Sequence, residues 1–386
     1  MDKVEFSQPL FFLNLVGLNL LKNDEFSKAR RVILVLILFL VFVLAYSELL
    51  TNFNNFDTIV HASEVIFPQY QIIWKTVILI IYKKGLAQRI EETTHFWPLN
   101  QFGKNVAKSA ISVHTLLRKI FMGYAILIYS SASLFIFPAI GSDRPIILTY
   151  GENRGFSAET KIFYFIFHTI ATFITLTLVT GFDGLFFYFV GHILSELKML
   201  KIAFSDLKIE TAWSCSRRLS LSIQHHIYIL KYIKDVNNVY STYLLNQHFS
   251  SLFGLCFGLI LMTKDGLPPD FNHLFRYLPY IIAFLLQLWM FCYAGTLIIT
   301  SSLEIPNEIF YHDWNQAAAY ENKLSKIIAI KRGQSAAKLT LGGFGNLDLE
   351  SFNLFKLTLN MGKVEFSEPL KSLNIIGLHP ATTDGF

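Results

Sequence analysis

Apolar positions along the chain gather into six long blocks, at 32–50, 62–82, 120–140, 162–200, 236–263 and 277–303, separated by stretches rich in charge. A hydrocarbon core about 30 Å thick needs roughly 20 helical residues, and every backbone polar group inside it must be bonded within the segment. Each block meets that length, so each predicts a membrane-crossing helix. The blocks at 236–263 and 277–303 lack Asp, Glu, Lys and Arg altogether, and the fourth runs uncharged from Ile162 to Asp183 before continuing as an amphipathic helix. Ionisable residues inside such blocks are costly. Lys75 lies eight residues before Lys83, within partial reach of the inner boundary by snorkelling, and reads as structural. Asp183, near the inner end of the fourth block, reads as a partner for a neighbouring helix.

Composition supports the same class. Hydrophobic residues make up 53% of the 386 and Phe alone numbers 37, while charged residues are 16% against roughly 25% in soluble domains. Basic residues show which side is which, because cytoplasmic loops carry the excess. The segment before the first block and the loops at 83–119, 201–244 and 304–350 together hold 23 Lys and Arg, against five in the loops at 51–61, 141–161 and 264–276. The N-terminus is therefore expected inside the cell, the reverse of a G-protein-coupled receptor. The net charge of +5 is scattered between apolar blocks rather than gathered on one face, so no nucleic-acid partner is expected. Residues 9–21 carry no secretory cleavage pattern, and Phe11, Phe12, Leu15 and Leu18 fall at roughly helical spacing. They predict an interfacial helix, with Lys28, Arg30 and Arg31 at the anionic inner leaflet.

One repeat stands out. Residues 1–20, MDKVEFSQPLFFLNLVGLNL, match residues 361–380, MGKVEFSEPLKSLNIIGLHP, at 12 positions without gaps. Two copies so far apart do not make a solenoid. The expectation is that the chain runs into the start of a tandem neighbour's coding sequence, with the native C-terminus missing. A seventh apolar stretch begins at 351–360 and is interrupted by Lys356, Lys363 and Glu365. The chain thus divides into an N-terminal cytoplasmic segment at 1–31, a six-span domain at 32–303, a cytoplasmic helix and loop at 304–350, the start of a truncated seventh span at 351–360, and an aberrant tail at 361–386.

Enzyme signatures do not occur: there is no G-x-x-x-x-G-K-[ST], H-E-x-x-H or G-x-S-x-G, so no catalytic residue and no cofactor is expected. The glycine run at Gly342, Gly343 and Gly345 reads as a loop. His225 and His226 are adjacent and point about 100° apart on a helix, so no metal site is expected. Cys215, Cys256 and Cys292 offer no extracellular disulfide framework. The outer halves of the spans are more informative. Tyr129, Ser130, Ser133, Ile136 and Phe137 fall on one face of the third span, as do Tyr164, Phe167, His168, Ala171 and Thr172 on the fourth, while the second offers Phe67, Tyr70, Gln71 and Trp74. Aromatic walls with a few hydroxyls and amides suit a small, weakly polar organic molecule. The ligand-binding residues expected on this basis are Phe67, Tyr70, Gln71, Trp74, Tyr129, Ser130, Ser133, Phe137, Tyr164, Phe167, His168 and Thr172; ordinary helix packing produces the same stripes.

The stretch QLWMFCYAGTLIITSSLEIPNEIFYHDW at 287–314 resembles the sixth span and following helix of the insect odorant receptors. So do FPQYQIIWK at 67–75, FDGLFF at 182–187, SIQHHIYIL at 222–230, SLFGLC at 251–256 and LTLGGFGNLDLESF at 339–352. The resemblance implies an all-α, polytopic seven-transmembrane architecture with a cytoplasmic N-terminus, here with its seventh span apparently truncated. It further implies a tuning subunit of a ligand-gated, non-selective cation channel, forming a heterotetramer with the odorant receptor coreceptor in the plasma membrane of olfactory sensory neurons. Its partners would be a small volatile hydrophobic ligand and membrane lipid. A gustatory-type receptor of the same architecture, or a non-conducting product of a fused gene model, are the alternatives. A secondary transporter is disfavoured because the spans lack inverted repeats, and a voltage-gated channel because no span carries arginines at every third position.

Overall fold

A computed structural model describes residues 6–21, 24–51, 56–137, 158–205, 212–266, 268–310 and 323–353. The repeated tail, and all of the seventh stretch beyond residue 353, lie outside the described residues. The elements are α1 (Ser7–Leu15), α2 (Glu25–Thr51), α3 (Phe56–Ile81), α4 (Lys83–Glu92), α5 (Lys104–Ile136), α6 (Ala158–Ser205), α7 (Ala212–Met262), α8 (Phe271–Phe310) and α9 (Lys323–Gly333), followed by a short hairpin of β1 (Thr340–Leu341) and β2 (Gly345–Asn346).

Six helices, α2, α3, α5, α6, α7 and α8, are long and apolar enough to cross a bilayer, and each contains one of the six apolar blocks or most of it. The protein is a helical, polytopic membrane protein. α2 shows why the bilayer is needed: Phe39 is 64% exposed, and Val32, Ile33 and Leu36 also face outward, a surface that only lipid tails cover without cost. α6 and α7, at 48 and 51 residues, are about 72 and 77 Å long and so extend roughly 40–45 Å past a 30 Å core. This extension is the part that the basic loops predict on the cytoplasmic side.

Burial along α6 changes character half-way. Its outer half is buried on one side only, whereas from Thr180 to Leu197 every residue is buried, so the helix becomes the axis of the inner bundle. Around it lies an aromatic core that includes Phe182, Phe186, Phe189, Tyr232, Tyr240, Tyr243 and Phe291. Close approach is possible because α6 presents glycines where its neighbours meet it. Leu13 of α1 occupies the space over Gly181, Phe121 of α5 that over Gly184, and the His114 ring that over Gly191. The expected interfacial helix is therefore two-sided: Leu13 is fully buried against α6, while Phe11 and Leu15 remain exposed.

These extensions are tied by charge. Arg89 of α4 donates to Asp235 of α7 at 2.5 Å and to Glu92 at 2.7 Å. Lys201 of α6 pairs with Glu304 and Glu308 of α8, which holds its ammonium pKa above the ordinary lysine value. His225 and His226 go separate ways, as adjacent helical positions must. His225 donates to the buried Glu196 carboxylate at 2.6 Å and stacks on Trp97, while His226 is buried edge-on to Phe204. Burial, and the nearby charges of Arg332 and His225, push the His226 pKa down to about 4.

The glycine run forms the turn of the hairpin. Gly342 and Gly343 adopt positive φ of 60° and 84°, conformations that side chains with a Cβ rarely take. α7 clamps the hairpin: Asn237 Oδ1 accepts from the Thr340 backbone at 2.7 Å, and Ser241 Oγ bonds Thr340 Oγ1 at 2.8 Å. α8 holds the segments on either side of it, Ser302 Oγ accepting from Ala337 N at 3.0 Å and Thr296 Oγ1 from Leu349 N at 2.9 Å.

Candidate functional site

Between the outer halves of α3, α5, α6 and α8 lies a cavity of about 460 Å³, with Val41 of α2 at its edge. Its walls follow from helical spacing. α3 contributes Glu64, Pro68, Gln71 and Ile72, and α5 contributes Tyr124, Ile128, Ser131 and Phe135. α6 contributes Ala171, Thr172, Thr175 and Val179, and α8 contributes Arg276, Tyr280, Phe284 and Gln287. Each set recurs every three or four residues, one face per helix. From Arg276 to Gln287 the cavity spans eleven residues of α8, about 16 Å of depth.

The two ends differ. At the outer end stand His61, Glu64 and Arg276. The inner end rests on a hydrogen-bonded network that joins four helices. Gln71 donates to Ser251 Oγ at 3.3 Å, and Gln247 donates to the same hydroxyl at 3.1 Å and to Gln287 Oε1 at 2.7 Å. Gln287 in turn donates to Asp183 Oδ2 at 2.8 Å, and Lys75 Nζ donates to Asp183 Oδ1 at 2.7 Å. Tyr243 closes the network on Gln247 Oε1 at 2.5 Å. Both ions are fully buried, and the Lys75 ammonium also lies 5.7 Å from the ring centres of Phe182 and Tyr243. Asp183 thus pairs with a neighbouring helix, and Lys75 is held by an ion pair in the protein interior rather than by snorkelling. A buried pair of this kind persists only where its remaining hydrogen-bonding capacity is met, as Gln287 meets it here.

The residues expected from the aromatic stripes are distributed over several surroundings. Gln71 and Thr172 line the cavity. Phe67 stacks on Phe253 and Phe257 of α7 at 4.9 and 5.6 Å. Tyr70 bonds Asn246 at 3.1 Å and meets Trp74 edge-on. On α5, the Tyr129 hydroxyl reaches Thr177 at 3.3 Å, while Ser130 and Ser133 donate to their own helix at Leu127 and Tyr129, and Phe137 is 66% exposed. On α6, Tyr164 and Phe167 flank the ring of His168, which is buried and has no hydrogen-bond partner for either ring nitrogen among the described residues.

Residues outside those stripes make most of the wall. On α5 the cavity face is Tyr124, Ile128, Ser131 and Phe135, rotated about 100° from the stripe through Tyr129 and Ser133. Arg276, Gln287 and Tyr280 lie on α8, which no stripe nominated. The signal that marks them is polarity: Gln287 and Arg276 are among the few strongly polar positions at 276–300. Among the described residues no group of His, Cys, Asp and Glu is arranged to hold a metal ion.

Comparison with known proteins gives a family model, described as 7tm Odorant receptor, that matches residues 60–359. Odorant receptor 82a of Drosophila melanogaster is 19% identical over 181 residues, covering 47% of this chain and 46% of that one. Odorant receptor 85c of the same species is 27% identical over 135 residues, 34% of each chain. The matched segments thus span less than half of these relatives' lengths. Among solved structures, the insect olfactory receptor OR5 from Machilis hrabei in complex with eugenol superposes with a TM-score of 0.80 at 13% identity, covering 92% of this chain and 95% of that one. The likeness extends to the fold.

Proposed function

The chain belongs to the 7tm odorant receptor family, and from that premise we propose that it is the tuning subunit of a ligand-gated, non-selective cation channel, assembled with the odorant receptor coreceptor in the plasma membrane of olfactory neurons. Small volatile organic molecules bind in the cavity between α3, α5, α6 and α8. The observation that carries this reading is the cavity itself: a chamber of about 460 Å³ whose walls combine mostly apolar surface with scattered polar groups, a size and lining that suit a small organic ligand. Gln71 and Thr172 contact the ligand directly, and Tyr129 and His168 stand behind the wall on α5 and α6. The polar network beneath the cavity joins α3, α6, α7 and α8, so a ligand that shifts Gln71 or Gln287 acts on all four helices at once. Binding opens the channel only so far as it favours the open arrangement over the closed one.

The test is cation current from cells expressing this chain with the coreceptor under a volatile panel. Ala132→Phe fills the cavity from α5 and is expected to raise the effective concentration of an active volatile about ten-fold or more at unchanged surface expression, as the lost space displaces ligand atoms. Ser133→Phe, one residue on and outside the cavity lining, is expected to leave it within about two-fold, the size of ordinary surface effects. The opposite pattern would move the ligand to the stripe through Tyr129.

A further inference from the structure

We propose that Arg276 is the anchor that sets ligand chemistry at this site: its guanidinium receives a neutral carbonyl oxygen, so the receptor favours ketones, aldehydes and esters over hydrocarbons and over carboxylates of the same length. The proposal rests on the odorant reading of the cavity and names the class of molecule within it.

Arg276 lines the outer end of the cavity, on the first turns of α8. Its charge is held over two aromatic faces, 4.6 Å from the centre of Phe135 and 5.5 Å from that of Tyr277. A guanidinium stacked in this way keeps its N–H edge available. Among the described residues no hydrogen-bond or ion-pair partner meets this side chain, and its Nε is buried and unpaired. A buried donor left unpaired carries a penalty that an acceptor relieves.

The hydroxyls of Tyr124, Ser131 and Thr172 also line the cavity, but they are neutral donors, and a hydrogen bond from a charged donor is roughly twice as strong. Gln69 donates to Leu38 O, Gln71 to Ser251, Thr175 to Thr172 O, and Gln287 uses both ends of its amide on Gln247 and Asp183. A ligand oxygen is therefore drawn to the outer end, with the hydrocarbon part pointing inward toward Ile128 and Val179. Glu64 shares the outer end with Arg276. Its carboxylate repels an anion but not a neutral carbonyl, and a carboxylate also loses more hydration on entry.

The experiment is equilibrium binding of radiolabelled heptane, 2-heptanone and hexanoate to the full chain, assembled with its coreceptor in phosphatidylcholine nanodiscs. Wild type is expected to bind 2-heptanone about ten-fold or more tightly than either of the others, the size of one hydrogen bond to a charged group. Arg276→Met should reduce the preference for 2-heptanone over heptane to about two-fold or less while leaving heptane affinity intact. Arg276→Lys, which keeps a donor, should retain part of it. An unchanged preference in Arg276→Met, tighter binding of hexanoate than of 2-heptanone, or an equal loss for heptane and 2-heptanone would each overturn the proposal, the last by showing that Arg276 packs the wall or holds a lipid phosphate. Absence of saturable binding by all three in wild type would overturn the odorant reading of the cavity, and this proposal with it.

Discussion

Asp183→Ala is expected to remove the receptor from the cell surface. The substitution leaves the Lys75 ammonium fully buried with no counter-charge, and it strips Gln287 of its acceptor. Removing one partner of a buried ion pair typically costs about 3–5 kcal/mol, most of it the penalty of the stranded charge rather than the lost attraction. That is comparable with the whole stability margin of many domains. Lys75→Met strands Asp183 in the same way and should be equally severe. Lys75→Met with Asp183→Leu removes both charges and replaces them with groups of similar bulk. Because apolar replacement of a complete buried pair is often neutral or stabilising, the double variant should recover most of the surface expression and melting temperature, short of wild type by about 1–3 kcal/mol for the Gln287 amide left without its acceptor. Surface biotinylation and thermal melting of detergent-purified protein distinguish the outcomes. A double variant as damaged as either single one would mean that the network is needed for its geometry and not for charge neutrality. If the double variant folds but the coupled channel no longer responds to ligand, the pair belongs to the link between cavity and gate.

Gly295→Ala should be the most damaging glycine-to-alanine change among the described residues. A Cβ at Gly295 would run into the Leu347 carbonyl, a backbone group that cannot turn aside like the end of a side chain. Leu347 is also tied by its own N–H to Leu339 O at 2.8 Å, just outside the hairpin, and Leu349 N is tied to Thr296 on the next residue of α8. The methyl must therefore lift the whole hairpin end from α8. Overpacking a tight site typically costs 1–3 kcal/mol, with backbone contacts at or above the upper end. Limited proteolysis should cut between β1 and β2 at least ten times faster in Gly295→Ala than in wild type. Gly85→Ala is the control: nothing lies within 4 Å of a Cβ there, and in the interior of α4 the change should be neutral or slightly stabilising.

Much of the architecture was legible because the bilayer imposes a length on each apolar run. All six predicted blocks fall within or largely within observed helices, and Asp183 was recognisable as a group in need of a partner on another helix. What period and composition cannot resolve is which face of a uniformly apolar helix turns inward. On α5 the positions Tyr124, Ile128, Ser131 and Phe135 carry as regular a stripe as Tyr129, Ser133 and Phe137. Both combine aromatic rings with hydroxyls, and a rotation of one residue exchanges them. Packing decides: Tyr124 and Ile128 are buried, while Tyr129 is turned to Thr177 and Phe137 to the outside. The partner of Lys75 was hidden for a different reason. The two residues are 108 positions apart, and their meeting depends on how α3 packs against α6, which no local pattern of spacing encodes.

Ligand protection of single cysteines most directly tests whether an odorant occupies the cavity between α3, α5, α6 and α8. In a chain with Cys215, Cys256 and Cys292 replaced by serine, Ala132→Cys and Ser133→Cys would each be labelled with a membrane-permeant methanethiosulfonate, with and without a saturating volatile agonist from the current assay. The cavity predicts that agonist slows labelling at position 132 about ten-fold or more and leaves position 133 unchanged. Equal protection at both positions, or protection at 133 alone, would contradict it.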